Sequence, residues 1–154
     1  MTEDEAYLRR ALELAEQAAR AGDVPIGAVL VSGDVVLEAK NEKESRRDAT
    51  AHAEMLLLRQ AAQRLGAWRL ADATIYVTKE PCLMCAGAMI AARIKRLVYG
   101  ACDPKGGADG GAFDVLRSPR TNHRLEVTQG VLEAEAAAQL RTFFRRKRAG
   151  VKKG

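Results

Sequence analysis

The sequence predicts an α/β domain in which helices cover both faces of one mixed sheet of about five strands. Three observations carry this expectation. Amphipathic segments with helical spacing alternate with short β-branched and aromatic runs. Two of those runs flank a Gly33-Asp34 turn and read as a hairpin. The chain has 154 residues, 47% hydrophobic and 29% charged, which suits one soluble domain with its own core and excludes collagen-like and disordered classes.

The first helix is expected over residues 3–21. Thr2 and Glu5 make a capping box ahead of an apolar stripe at Leu8, Ala11, Leu12, Ala15 and Ala19, and Gly22 supplies the stop. The hairpin follows, with strands at 26–31 and 35–39. Residues 41–50 are polar and read as a loop. Ala51 to Leu65 is Ala- and Leu-rich and reads as a helix ending at Gly66. Residues 73–78 form a buried strand. Pro81 opens a helix continuing over 82–92, and residues 94–99 form another strand. Residues 101–112 read as a loop, whose glycine-rich 105–111 stretch is expected to be flexible. A short helical turn is expected at 114–117, a last strand at 125–128 and a final amphipathic helix at 131–148. The hairpin strands are antiparallel; the later strands, joined by helices, are expected to be parallel.

The charge is unevenly distributed. The formal net charge is +5, from 25 Lys and Arg against 20 Asp and Glu. Residues 1–140 carry a net of −2, whereas residues 141–154 hold seven basic residues and no acid. A cationic end of this density points to a polyanion, nucleic acid or anionic lipid, or else to a solubilising tail. No run approaches the ~20 apolar residues of a membrane span. The acidic N-terminus lacks a signal peptide's pattern, so a cytoplasmic location with no membrane partner is expected. In that compartment Cys82, Cys85 and Cys102 suit metal or chemistry better than a disulfide.

Two short motifs concentrate the chemistry. His52-Ala53-Glu54 opens one helix and Pro81-Cys82-Leu83-Met84-Cys85 opens the next. One imidazole and two thiolates suit zinc, and three protein ligands leave the fourth position open for catalysis. Cys82 and Cys85, three apart, share a helix face at its N-terminal turn, where the dipole favours thiolates. Residues two apart in a helix diverge by about 200°, so His52 and Glu54 serve one site only at the very start of their helix. Glu54 is then placed for general acid/base work. Alone, a CxxC is also a redox pair or half a zinc ribbon, and a histidine is also a structural residue. The combination is far more specific. Cys102, which lacks a matching ligand, reads as a packed core thiol.

The H-x-E and P-C-x-x-C pair is the signature of the zinc base deaminases. Over nearly its whole length the chain resembles the cytidine-deaminase-like superfamily, and within it the bacterial tRNA-specific adenosine deaminases. The resemblance is carried by residues 24–28, 50–55, 80–82, 85–88, 122–124 and 143–145. It implies the three-layer αβα cytidine-deaminase-like fold over residues 1–154, a single zinc-dependent deaminase domain with a basic C-terminal helix and tail at 141–154. It implies one Zn2+ per subunit on His52, Cys82 and Cys85. Glu54 would draw a proton from the attacking water and pass protons to the adenine ring and departing amine, leaving inosine and ammonia.

The implied substrate is the wobble adenosine of a tRNA anticodon stem-loop, and the implied assembly a homodimer. Asn41 matches the position that hydrogen-bonds the purine, and Ala53 lies within a matching substrate-binding stretch. Asp103, Asn122 and His123 match positions near the flanking nucleotides; Phe144 and Arg148 match the final helix that meets the stem-loop. Departures occur at Ala49, where proline is usual, and at Lys79, Leu83 and the glycine-rich loop. Two other classes fit less of the sequence. A zinc deaminase of a free base or nucleoside (guanine, cytosine or cytidine) gains little from the arginine-rich last helix. A non-catalytic, zinc-stabilised RNA-binding module has no use for Glu54.

Overall fold

A computed structural model describes residues 1–153, with the side chains of residues 1–150; Gly154 and the side chains of Lys152 and Lys153, part of the basic tail, lie outside it. The elements are α1 (Glu3–Arg20), β1 (Gly27–Ser32), β2 (Val35–Lys40), α2 (Lys43–Arg46), α3 (Ala53–Leu65), β3 (Thr74–Lys79), α4 (Leu83–Ala91), β4 (Arg96–Ala101), β5 (Glu126–Thr128) and α5 (Glu133–Lys153). The five strands form one mixed sheet in the order β2-β1-β3-β4-β5. β1 pairs antiparallel with both β2 and β3, while β3–β4 and β4–β5 are parallel.

The expected capping box is present: the Thr2 hydroxyl accepts the Glu5 amide at 3.1 Å and bonds the Glu5 carboxylate. α3 ends at Gly66 with φ +65°, the left-handed cap its sequence announces. Alternation along the strands then sorts side chains to two faces. Val29, Tyr76 and Val98 pack against Leu8, Ala11 and Leu14 of α1, with Leu132 beside them before α5. Ala28, Leu30, Ile75, Val77, Leu97 and Tyr99 point the other way, against Leu57 and Ala61 of α3 and Ala86 and Met89 of α4. This is the three-layer arrangement expected from the sequence.

Three expectations need correction. Residues 43–46 form a helical turn inside the stretch read as loop, because Asp23 accepts the Glu44 amide and the Ser45 hydroxyl. The helical turn at 114–117 is absent; Asp114 instead makes a β-bridge to Asp109, and the amides of Val115 and Leu116 converge on the Ala108 carbonyl, burying Leu116. The β4–β5 crossover is therefore an irregular segment rather than a helix. The glycine-rich loop is also not free; its amides are bound to a buried carboxylate, described below. Among the described residues, no helix is long and apolar enough to cross a membrane.

Arg96 of β4 ties α1 to the sheet, donating to both carboxylate oxygens of Asp4 at 2.9 and 2.7 Å. That guanidinium holds the Asp4 carboxyl below its ordinary value of 3.8. A depressed carboxyl stabilises the fold above its unfolded pKa and loses that contribution as pH falls through the folded one. Asp4→Asn should therefore lower stability by about 1 kcal/mol at pH 7. Thermal unfolding should show the gap between the two proteins closing as pH drops below that ordinary value of 3.8.

Candidate active site

Two helices begin at the same place. His52 is the N-cap of α3 and Cys82 the N-cap of α4, both with extended backbone (ψ 150° and 177°), and neither spends its side chain on capping. Because His52 precedes the helix proper, the 200° divergence of helical neighbours does not apply, and its ring meets the two thiols. His52 Nδ1 lies 3.6 Å from both Cys82 Sγ and Cys85 Sγ. The ligand atoms of His52, Cys82 and Cys85 all lie within 4.8 Å of one another, the spacing of donors around one ion. Leu83, between the cysteines, points outward and leaves the ligands untouched.

Glu54, in the first turn of α3, is buried, and its Oε1 has no hydrogen-bond partner. Burial raises the pKa of its carboxyl. An orphaned buried carboxylate oxygen is costly, and such atoms persist where function requires them. The thiols divide their roles: hydrogen bonds from Cys85 and His52 bring Cys82 down to about 3. Cys85 is driven strongly upward, first by its bond to Cys82 and then by burial. Its bond to Cys82 raises the His52 pKa. The three side chains thus form a hydrogen-bonded donor set whose protons a bound cation would displace.

The other sequence-singled residues fall into three places. Asn41 and Ala53 are buried near the triad: Glu42 N donates to Ala51 O at 3.0 Å, which lays the end of β2 against the His52 segment. Asn41 Nδ2 donates to Val24 O and its Oδ1 accepts the Lys43 amide, both at 3.1 Å. At Ala49, where proline was expected, the Asp48 carboxylate accepts the Thr50 amide and hydroxyl at 2.8 Å and fixes the turn.

Asp103, Phe144 and Arg148 come together along a cleft of about 740 Å³ between the β4–β5 segment and α5, with Lys79, Arg141 and Arg145. Phe143 is half-buried while Phe144, edge-on to it at 5.4 Å, is 39% exposed. Asn122 and His123 are not brought there. His123 Nε2 lies 2.7 Å from the Ile94 carbonyl, ahead of β4 at the opposite end of the sheet, and Asn122 is exposed beside it. Cys102 is not the packed core thiol expected; it is exposed on the cleft.

Sequence reasoning missed Glu80. Its carboxylate accepts the amides of Asp103 (2.8 Å), Asp109 (2.8 Å) and Gly111 (3.0 Å). The available signal was an acid directly before Pro81-Cys82, together with glycines that leave room for it. Lys79, noted only as a departure, pairs with Asp103 at 3.0 Å.

A buried carboxylate beside a His/Cys/Cys triad at two helix starts, on this αβα sheet, defines a deaminase of the cytidine-deaminase-like class. The MafB19-like deaminase family matches residues 2–148. The chain is 49% identical over 146 residues to a tRNA-specific adenosine deaminase of Bacillus subtilis (strain 168), covering 94% of this chain and 91% of that protein. The Haemophilus influenzae tRNA-specific adenosine deaminase is 48% identical, with 94% and 85% covered. A solved structure from work on A-to-I editing by tRNA:A34 deaminases at the wobble position superposes with a TM-score of 0.82 at 43% identity, covering 88% of this chain and 99% of that one. A guanine deaminase from Nitrosomonas europaea gives a TM-score of 0.79 at 25% identity, with 93% and 85% covered. The chain belongs to the tRNA-specific adenosine deaminase family.

Cys82→Ala and Cys85→Ala should each bring bound metal well below one ion per chain. Cys102→Ala should leave metal content unchanged. Elemental analysis of the purified variants checks both outcomes.

Proposed function

We propose that this protein is a zinc-dependent hydrolytic deaminase that converts the wobble adenosine of a tRNA anticodon to inosine and ammonia. The observation that carries the chemistry is Glu54: buried, with an unpaired oxygen, beside the His52, Cys82 and Cys85 triad. Zinc fits the donor set. Tetrahedral coordination with the usual Zn–N and Zn–S lengths separates the two donors by about 3.6 Å, and both measured separations are 3.6 Å. A zinc ion on three protein ligands supplies Lewis acidity that brings the pKa of water to about 7.

Within this reading the chain's own residues do the rest. Glu54 takes a proton from the attacking water as it adds to C6 of adenine. It passes that proton to the ring nitrogen, then takes the remaining proton from the new C6 hydroxyl and hands it to the exocyclic amine, which departs as ammonia as the C6–N bond breaks and C6=O forms. The burial that raises the Glu54 pKa suits a group that must both accept and return protons. Asn41, with one N–H remaining beyond its bond to Val24, and Ala53 hold the purine beside this carboxylate. Phe144 offers a face to an unstacked base, and Arg148 with its neighbours meets phosphates.

Asn122 and His123 have no partner in the cleft of their own chain. They contact the flanking nucleotides only if the RNA or a second subunit reaches that end of the sheet, and a homodimer is the assembly we assign. The working location is cytoplasmic, where tRNA is found.

A small-molecule deaminase is the second reading, favoured by the likeness to the guanine deaminase. The arginine-lined cleft argues against it. Incubation with an anticodon stem-loop, free adenosine, guanine and cytidine in parallel, read as ammonia release, separates the two; turnover of a free base or nucleoside alone rejects the tRNA assignment. Glu54→Gln should retain metal and fold while inosine formation falls about a hundredfold or more. Arg145→Glu with Arg148→Glu should weaken stem-loop binding and reduce its salt slope by roughly one unit per lost phosphate contact.

A further inference from the structure

We propose that Glu80 is a positioning residue that sets the wall of the substrate cleft against the metal-ligand turn. Glu80 lies two residues before Cys82, and its buried carboxylate is the hub around which residues 103–111 wrap.

The wrapping is specific. Oε1 accepts the Asp103 amide and Oε2 accepts those of Asp109 and Gly111. Three converging N–H groups form a backbone nest for an anion, here supplied by the protein itself. Two further bonds close the structure: Ala108 N donates to Pro81 O, and Gly107 N to Asp103 O, each at 2.9 Å. The glycines are required by contact. A Cβ on Gly107 would overlap the Glu80 carboxylate, and one on Gly111 would overlap the Asp103 carbonyl and crowd the same carboxylate at 2.7 Å.

The outer side of this loop is the cleft. Asp103, Pro104, Lys105 and Gly106 line it opposite Phe144 and Arg148 of α5. The same three amide bonds that satisfy Glu80 therefore fix where the loop stands relative to α5. Through Pro81, they also fix where it stands relative to Cys82. Glu80 thereby couples cleft width to the reacting centre, and its loss should be felt in substrate capture more than in the chemical step. This inference rests on the reading of the cleft as the site for an anticodon stem-loop.

Glu80→Gln keeps the shape but turns an NH2 toward backbone N–H donors, so at least one of the three amides loses its acceptor. Gly107→Ala drives the loop and the Glu80 carboxylate apart while keeping the carboxylate's charge. For both variants, steady-state deamination of an anticodon stem-loop should show KM raised about tenfold or more with kcat within about threefold of the parent. Metal content should remain one ion per chain. A fall in kcat at unchanged KM, loss of metal from the folded variants, or kinetics identical to the parent's would each overturn the proposal. Where a variant unfolds, stem-loop affinity of the other decides, and unchanged affinity overturns it too. Failure of the parent protein to deaminate the stem-loop would instead reject the functional reading on which the inference rests.

Discussion

Everything at the site depends on two helices starting at one point. α3 and α4 direct their free N-terminal amides and dipoles toward the space shared by His52, Cys82 and Cys85. Neither N-cap side chain caps, so imidazole and thiol are left for other work. The positive helix ends favour thiolate character, in keeping with the lowered Cys82 pKa. They also soften the cost of placing Glu54 in the interior. The sheet enforces the coincidence: β3 leads directly into α4, and the end of β2 is bonded to the strand of chain that enters α3.

Local signals made most of this legible. Thr2 and Gly66 mark element ends because capping chemistry is written in single residues, while Pro81 stands one residue before the Cys82 N-cap, outside the helix it was expected to open. The central strands β1, β3 and β4 are readable because they are buried along most of their length and rich in β-branched and aromatic residues. The His52/Glu54 and Cys82/Cys85 spacings point to one centre because few chemistries require those four residues together, and the structure brings the imidazole and both thiols within 4.8 Å of one another. What failed was non-local. Asp23 organises residues 43–46 from across the sequence, and a carboxylate at position 80 orders a loop that composition alone describes as loose. The bridge between Asp109 and Asp114 likewise follows from how Ala108 is held, and no propensity announces it. The position of His123 against the Ile94 carbonyl depends on the path of the whole β4–β5 segment, which has no regular period to read.

The uneven charge acquires a structural meaning in α5. Along its C-terminal half, Arg141, Arg145 and Arg148 recur at helical spacing and face the cleft, while Arg146 and Lys147 face the groove against α1. Among the described residues of the helix Ala136 is the buried one, Phe143 lies half-buried along the groove against α1, and Phe144 turns to the cleft. A solubilising tail has no need of such division between flanks.

The arginine-lined cleft nevertheless has Asp103 on its wall, with Glu80 and Asp109 buried nearby, and each carboxylate is occupied. Asp103 is paired with Lys79 at 3.0 Å and accepts the Lys105 amide, and its carboxyl is held below the usual range against the opposing effect of burial. Asp109 is buried, taking the Tyr99 hydroxyl at 2.8 Å and the Arg117 guanidinium at 3.3 Å. Glu80 is consumed by three amides. Each of these charges is held by fixed donors, Glu80 and Asp109 in the interior and Asp103 on Lys79, whereas the arginines of α5 stand in solvent. The acids are thus tied into the wall, with the arginines exposed along the cleft. Replacing the wall's carboxylates by neutral residues would add little attraction for RNA and would remove the ties that hold the wall in place.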